Sequence, residues 1–500
     1  MTSLAVSTVE LTVDGRTLGP DAGTVLAVRV TSRLAQPAEC ELTLAGGRGE
    51  WPHGWALGAR LGVRVAGATG TLFSGKVTGV ELARAGDGET VARVRGHDAL
   101  HQLRHRQRLR VLEDATALDV AHAVAGDLGL TVSCDEPGPK LARVVQHRQS
   151  DLDLLVQACG RTGLYPVVCG DELRLVTLDG YGTPAKLHFG RSLWQASVEA
   201  NSGVAARKFT AMGWHPQRVE LVTETATTPR SGRRIAFTPP ETADGELTLV
   251  DQPASGADEI AAGAQAALDD AAARAVVLRA VADGDPALWA GARIEVRGVS
   301  EPVDGQYVLG TAVHTVDAHG YQTTLSTEPP AAGAGRSGTS LTLGRVTAVD
   351  DPEKRGRVRV SLPAHGDLDV GWLAVVCPGA GKGKGIVALP TVDDTVAVAL
   401  PHEAPAEGVV LGSLYGLVNP PDPGVEGNAV KRFSIRTAGG QSVVVDDDKK
   451  LVRVENDEGS YVELAPGHVV LHAKAELTIE APGHAVKIRG LTVDFDRALV

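Results

Sequence analysis

From Phe433 to Val500 the chain repeats one simple unit, a short apolar run closed by Gly, Pro or charged residues. The runs are Phe433–Arg436, Val443–Val445, Leu451–Val454, Val462–Leu464, Val469–Leu471, Leu477–Ile479, Val486–Ile488 and Leu491–Val493. Period-two alternation of this kind predicts half-buried strands. With so few bulky residues, strands this regular cannot enclose a compact core within one chain. They can if three chains wind into one prism with Val, Leu and Ile inward, so the pattern predicts an obligate trimer. Asp446, Asp447 and Asp448 lack the D-x-D-x-D-G spacing of a calcium loop, and with Lys449 and Lys450 they read as a solvated turn.

A second β-rich stretch runs from Leu341 to Pro421. Its alternating runs include Val358, Val360 and Leu362; Leu373 and Val375; Ile386, Val387 and Leu389; Val396, Val398 and Leu400; and Val409 to Leu411. Five or six such strands in that length predict a small closed barrel. Asp351-Pro352 followed by Gly356 is turn chemistry between its first two strands. Gly379, Gly381, Gly383 and Gly385 allow close backbone approach, as at a crowded symmetry axis. A phosphate-binding loop would need Ser or Thr after its Lys, whereas Lys382 and Lys384 are each followed by Gly.

The order of pieces in this stretch resembles the oligonucleotide/oligosaccharide-binding (OB) barrel of the VgrG and phage-tail-spike proteins of contractile injection machines. The matching pieces are Gly344 to Val346, Asp350 to Val360, Trp372 to Val375, Pro378 to Gly385, Leu389 to Val396, Val409 to Tyr415, and Asn419-Pro420-Pro421. The resemblance extends upstream. Ser150 to Leu155 running into Gly163-Leu164-Tyr165, and a closing segment with Gly291, Ile294, Val296, Gly305, Tyr307, His314 and Tyr321, are similar to the late control D portion that forms the hub of these proteins.

Earlier in the chain, Val9 to Val13, Val25 to Val30, Cys40 to Leu44, Leu61 to Val65, Gly75 to Leu82 and Val91 to Arg95 read as strands. His97, Asp98, His101 and His105 then fall among arginines, a spacing that reads as a solvated basic face in preference to a metal site. Thr116 with Asp119 and Ser150 with Asp153 are capping-box pairs, predicting helices near 116–128 and 150–160. Val198 to Arg218 and Arg233 to Val250 read as strands separated by a Thr-rich loop, and Ala257 to Ala280 as an Ala-rich helix. His314, among alternating apolar residues, reads as structural.

Composition bounds the function. Aromatics are 4% while Gly numbers 59 and Pro 27, which favours short strands and turns over helical bundles. A net charge of -12 argues against general nucleic-acid binding. Cys40, Cys134, Cys159, Cys169 and Cys377 form no C-x-x-C pair and read as reduced thiols of a protein made in the bacterial cytoplasm. Neither an export signal nor a membrane span is apparent. There is no G-x-S-x-G or H-E-x-x-H, so no catalytic residue, cofactor or metal is expected. In lysozyme-bearing spikes of the family a muramidase sits near the Pro-rich connector, and the residues from Val418 to Gly427 are too few to hold one. Two alternatives are a spike with cell-wall-cleaving activity and an OB-type single-strand nucleic-acid binder. For the second, Lys354, Arg355, Arg357, Arg359 and Lys384 have only Trp372 and Tyr415 as stacking aromatics.

The expected fold is therefore mainly β with a few helices. The divisions are a late control D-like hub over 1–330 (barrels about 1–100 and 200–330), a linker over 331–340, an OB barrel over 341–417, a Pro-rich connector over 418–429 and a β-helical needle over 430–500. The resemblance implies a homotrimer whose hub seats on a hexameric inner tube among baseplate proteins, and whose needle is driven through a target membrane. Leu491, Val493 and Phe495 near the blunt end are expected to dock a separate PAAR-repeat tip protein, since His468, His472 and His484 lack the H-x-H spacing of a metal-closed tip.

Overall fold

The computed structural model describes residues 9–18, 24–45, 55–84, 90–215, 220–238, 245–253, 256–331, 338–416 and 418–495. The fold is mainly β, as the alternation predicts, and divides into two compact units, Met1–Ser413 and Leu414–Val500. Most of the expected linker over 331–340 lies outside the described residues, and Thr339 already begins a strand.

The first unit is dominated by an antiparallel 11-stranded sheet. It runs from Leu193–Ala200 at one edge through Val276–Asp283, Gly320–Ser326 and Thr311–Asp317. It then continues through Thr24–Arg33, Gln36–Ala45, Thr90–His97, Phe73–Arg84, Arg60–Val65 and Val9–Val13 to Arg16–Thr17. The strands from the first hundred residues and those after 270 meet at one seam, where His314 lies opposite Val30 and Val316 opposite Val28. Val316 belongs to the same buried core as Val28, Val30, Leu42, Leu61 and Val94.

Among the described residues four α-helices attach to this body: α1 (Leu100–Leu103), α2 (Ala117–Ala125), α3 (Asp151–Gly160) and α4 (Ala257–Ala275). Both capping boxes form. The Thr116 hydroxyl accepts the Asp119 N–H at 3.2 Å, and the Ser150 hydroxyl accepts the Asp153 N–H at 3.2 Å. Each acid reaches back to the N-cap N–H, at 2.9 Å for Asp119 and 3.2 Å for Asp153. Ser150→Ala removes one of these bonds at the start of α3 and is expected to lower the unfolding free energy by about 1 kcal/mol, read from urea denaturation.

Helix α4 covers a three-stranded sheet of Glu220–Ala226, Lys208–His215 and Glu246–Pro253, with Phe209, Ala211, Ile260, Ala264 and Leu268 between them. Glu220–Ala226 lies within the stretch expected to be a Thr-rich loop. Its threonines are β-branched, and alternation with Val222 suits an edge strand.

Thr339–Ala348, Val358–Leu362, Leu368–Val375, Val409–Ser413 and Thr395–Pro401 close into a barrel in that order. Five strands suffice because Ala374 and Val375 pair in parallel with Val409 and Val410, leaving no edge. The run from Ile386 to Leu389, expected to be a strand, therefore stays outside the barrel, with Ile386 and Val387 exposed. The barrel core of Val346, Val358, Val360, Leu373, Val396 and Val398 also takes in Val145. Val145 comes from the two-stranded ribbon Arg110–Ala115/Leu141–Gln146, so the barrel packs directly on this ribbon.

The second unit holds a five-stranded antiparallel meander of Arg432–Arg436, Ser442–Asp446, Leu451–Glu455, Tyr461–Ala465 and His468–His472. The three later apolar runs, at Leu477, Val486 and Leu491, form no strand within this chain.

Candidate assembly surfaces

The register of the C-terminal meander sorts its side chains by face, because directly opposed residues on neighbouring strands share a face. One row is Phe433, Val445, Val452, Leu464 and Val469. The next is Ile435, Val443, Val454, Val462 and Leu471. Every member of both rows is apolar, and the face is uncovered: Phe433 is 64%, Ile435 68% and Val469 72% exposed. The opposite face is polar and laced with ion pairs. Arg453 bonds Glu463 and Glu455, each at 2.9 Å, and lies 3.8 Å over the Tyr461 ring. Arg432 holds Asp422 at 2.8 Å and also bonds Glu426. An exposed apolar face on a sheet whose other face carries these ion pairs marks an interaction surface.

At the end of the barrel, the turn read from Asp351-Pro352 is organised by the Asp351 carboxylate. It accepts the backbone N–H groups of Glu353 at 3.1 Å, Arg355 at 2.8 Å and Arg357 at 3.3 Å, and pairs with the Arg357 guanidinium at 2.6 Å. Both side chains are 5% exposed or less. The Arg357 guanidinium, assisted by those backbone donors, holds the Asp351 carboxyl well below the usual carboxylate range.

Gly379 to Gly385 form an exposed hairpin, closed by reciprocal 3.1 Å backbone bonds between Gly381 and Lys384. Gly379, Gly383 and Gly385 take left-handed φ values, which is what the glycines permit there. Trp372 is half-buried and lines a cleft of about 330 Å³ between the barrel and the helices. In that cleft Arg161, at the end of α3, pairs with Glu259 of α4 at 3.1 Å and with Glu407 of the barrel at 3.5 Å. His402 bridges Glu407 at 3.1 Å and Asp251 at 3.2 Å. On the ribbon, Arg143 donates to the Asp369 carbonyl at 3.1 Å and packs over Gly371, where a Cβ would lie 2.1 Å from its guanidinium.

The remaining sequence candidates fall in different places. Leu491 and Phe495 are almost fully exposed, and Val493 is 46% exposed. The His97 and His101 rings stack and the His105 ring meets His101 edge-on, and burial together with His97, His105 and Arg104 pushes His101 down to about 4. Among the described residues no cluster suited to a metal ion occurs. The basic segment there is only partly a solvated face: Arg106 and Arg110 converge on fully buried Asp151, at 3.3 and 3.0 Å, and fix the start of α3. Sequence spacing could not show this, since the acid lies some forty residues away. His314 is fully buried, with one ring nitrogen bonded to the Leu288 carbonyl and the other to Tyr321 and Thr323. All five cysteines are free. No helix among the described residues is long and apolar enough to cross a membrane.

Residues 342–415 match the type VI secretion system/phage-baseplate injector OB domain, and residues 31–320 match the phage tail baseplate hub family. The chain belongs to the phage tail baseplate hub family. The hub's fold is shared with an E. coli component of the type VI secretion system, at 13% identity and a TM-score of 0.54 over 81% of this chain and 100% of that one. It is shared also with the Francisella PdpA-VgrG complex, at 7% identity and a TM-score of 0.55 over 93% of this chain and 87% of that one. A tail protein from Neisseria meningitidis aligns at 16% identity and a TM-score of 0.50, over 64% of this chain and 95% of that one. No curated protein matches the hub's sequence. The matched segments take in most strands of the 11-stranded sheet and of the barrel, so the hub is a structural protein of a baseplate.

Proposed function

We propose that this hub assembles as a homotrimer and serves as the central spike of a contractile injection machine, linking the inner tube to the tip that pierces a target envelope. The observation that carries the reading is the ten-residue apolar face of the C-terminal meander, together with three further apolar runs that find no strand partner in their own chain. Three copies can turn these faces toward a common axis and pair the remaining runs between chains. The exposed hairpin of Gly379, Gly381, Gly383 and Gly385, followed by exposed Ile386 and Val387, supports a second axial contact at the barrels. Strands from the first hundred residues and from beyond residue 200 would give each chain two contact surfaces, matching a three-fold hub to a hexameric tube. The role is mechanical and needs no catalytic group. Light scattering on the full chain should give three times its 51.9 kDa mass; a folded monomer at micromolar concentration overturns the reading.

The blunt end of the needle is the proposed seat of a separate PAAR-repeat tip protein, supported by the exposure of Leu491, Val493 and Phe495. Deleting residues 491–500 should leave the trimer intact and abolish co-purification of the tip. Undiminished retention of the tip would place its seat elsewhere.

A further inference from the structure

The barrel's attachment to the hub contains a buried histidine whose ring is left unsatisfied. His365 ends the short turn Pro363–His365, is 7% exposed, and among the described residues has no hydrogen-bond partner on either ring nitrogen. The hub closes over it. Gly366 follows in the left-handed region, and a Cβ there would lie 2.2 Å from Leu109, which packs down from the segment before the ribbon. From the ribbon's end the His147 ring lies 5.6 Å from that of His365, tilted by 43°.

The groups around His365 all bear on how easily it can take up a proton. His147 and Arg148 approach from the ribbon side, and on its own element the nearest acid, Asp367, is exposed and makes no bond to the ring. A neutral imidazole is tolerated in such a place. A charged one would be buried beside a second imidazole and near a guanidinium, with no carboxylate bonded to it.

We propose that the joint between hub and barrel is a proton-sensitive hinge, closed while His365 is neutral and opened by its protonation. Opening would expose the ring to water and separate it from His147 and Arg148, which is the differential interaction that a switch requires. Burial, and secondarily Arg148, lower the pKa of His365 in the closed joint. The closed joint's advantage is thus fully present above the ordinary imidazole pKa and is lost as pH falls below it. The cleft has the opposite bias. Burial alone would lower the His402 pKa, but the hydrogen bonds and charges of Glu407 and Asp251 outweigh it and raise the value, so this tether is retained as pH falls through the ordinary imidazole range. Acidification would then loosen one side of the joint and leave the other held, which makes the motion a pivot.

Hydrogen exchange on the full-length assembly tests this at about pH 7.5 and about pH 5, with rates corrected for the intrinsic pH dependence of exchange. Opening reported by strand Leu141–Gln146 and the turn Pro363–His365 should rise in acid by at most about thirty-fold, the ceiling set by an imidazole pKa near 6.5. In His365→Gln the rise should vanish. Arg148→Gln, which keeps the imidazole, should shrink it, and serves if the first variant fails to fold. Equal protection at both pH values in the unaltered protein, or an undiminished rise in His365→Gln, overturns the proposal.

Discussion

Val454→Asp is expected to reduce the assembled species to single chains of 51.9 kDa in light scattering. Val454 stands mid-row between Val443 and Val462 on the apolar face of the C-terminal meander. In an assembly that buries this face, each copy would place a carboxylate among aliphatic side chains with no cation in reach. The cost is on the order of 3 kcal/mol per copy. Three copies converging on one axis amount to about 9 kcal/mol, or roughly a millionfold loss in association. The meander itself should persist, because its backbone pairing is intrachain. Ser434→Asp is the control: it places the same charge on the polar face, opposite Val444, and should leave the mass unchanged. Equal masses for both variants would mean that the apolar face is not the interface.

Asp351→Ala is expected to destabilise the barrel by about 2–4 kcal/mol, read as a shift in the urea midpoint. The substitution leaves the Arg357 guanidinium with Glu353, at 3.0 Å, in place of the buried Asp351 pair, and releases three backbone N–H groups that the carboxylate holds in the turn. The figure is set below that of an isolated buried pair because Glu353 still neutralises the guanidinium. The pH dependence has a definite sign. The Asp351 pKa is depressed in the folded state, chiefly by Arg357, so its contribution is complete above the ordinary carboxylate pKa and fades as pH falls below about 4. The alanine variant should lose that part of the acid sensitivity while keeping the rest.

What could be read from the sequence was whatever depends on near neighbours. The apolar rows of the meander are a direct transcript of alternation at Phe433, Ile435, Val452, Val454, Val462 and Leu464. Both capping boxes follow from pairs three residues apart. The Asp351 turn was visible, but its pairing with Arg357 was not, since a turn signal does not show which way a guanidinium folds. Local pattern misread Glu220–Ala226, where two glutamates and two threonines look like loop until a neighbouring strand supplies the pairing. It also misread Ile386 to Leu389, where good alternation meets a barrel already closed by other strands. Arg106 and Arg110 looked solvated because the acid they neutralise, Asp151, begins a helix beyond α2. His365 gave no signal at all. Its significance rests on the ribbon ending at Gln146, more than two hundred residues upstream.

The seam between Thr24–Arg33 and Thr311–Asp317 bears on how the chain is made. A ribosome releases the first of these strands some 280 residues before the second, and at about 5–20 residues per second that is a wait of roughly 15–60 s. Throughout that interval the N-terminal half of the sheet ends in an open edge, with Val28 and Val30 awaiting the strand that carries Val316. A neighbouring nascent chain on the same messenger offers an identical edge, so premature pairing between polysome-mates competes with completion of each molecule. Yield should therefore depend on the speed of translation between the two strands, with synonymous slow codons in that interval depressing it even though the finished protein is unchanged.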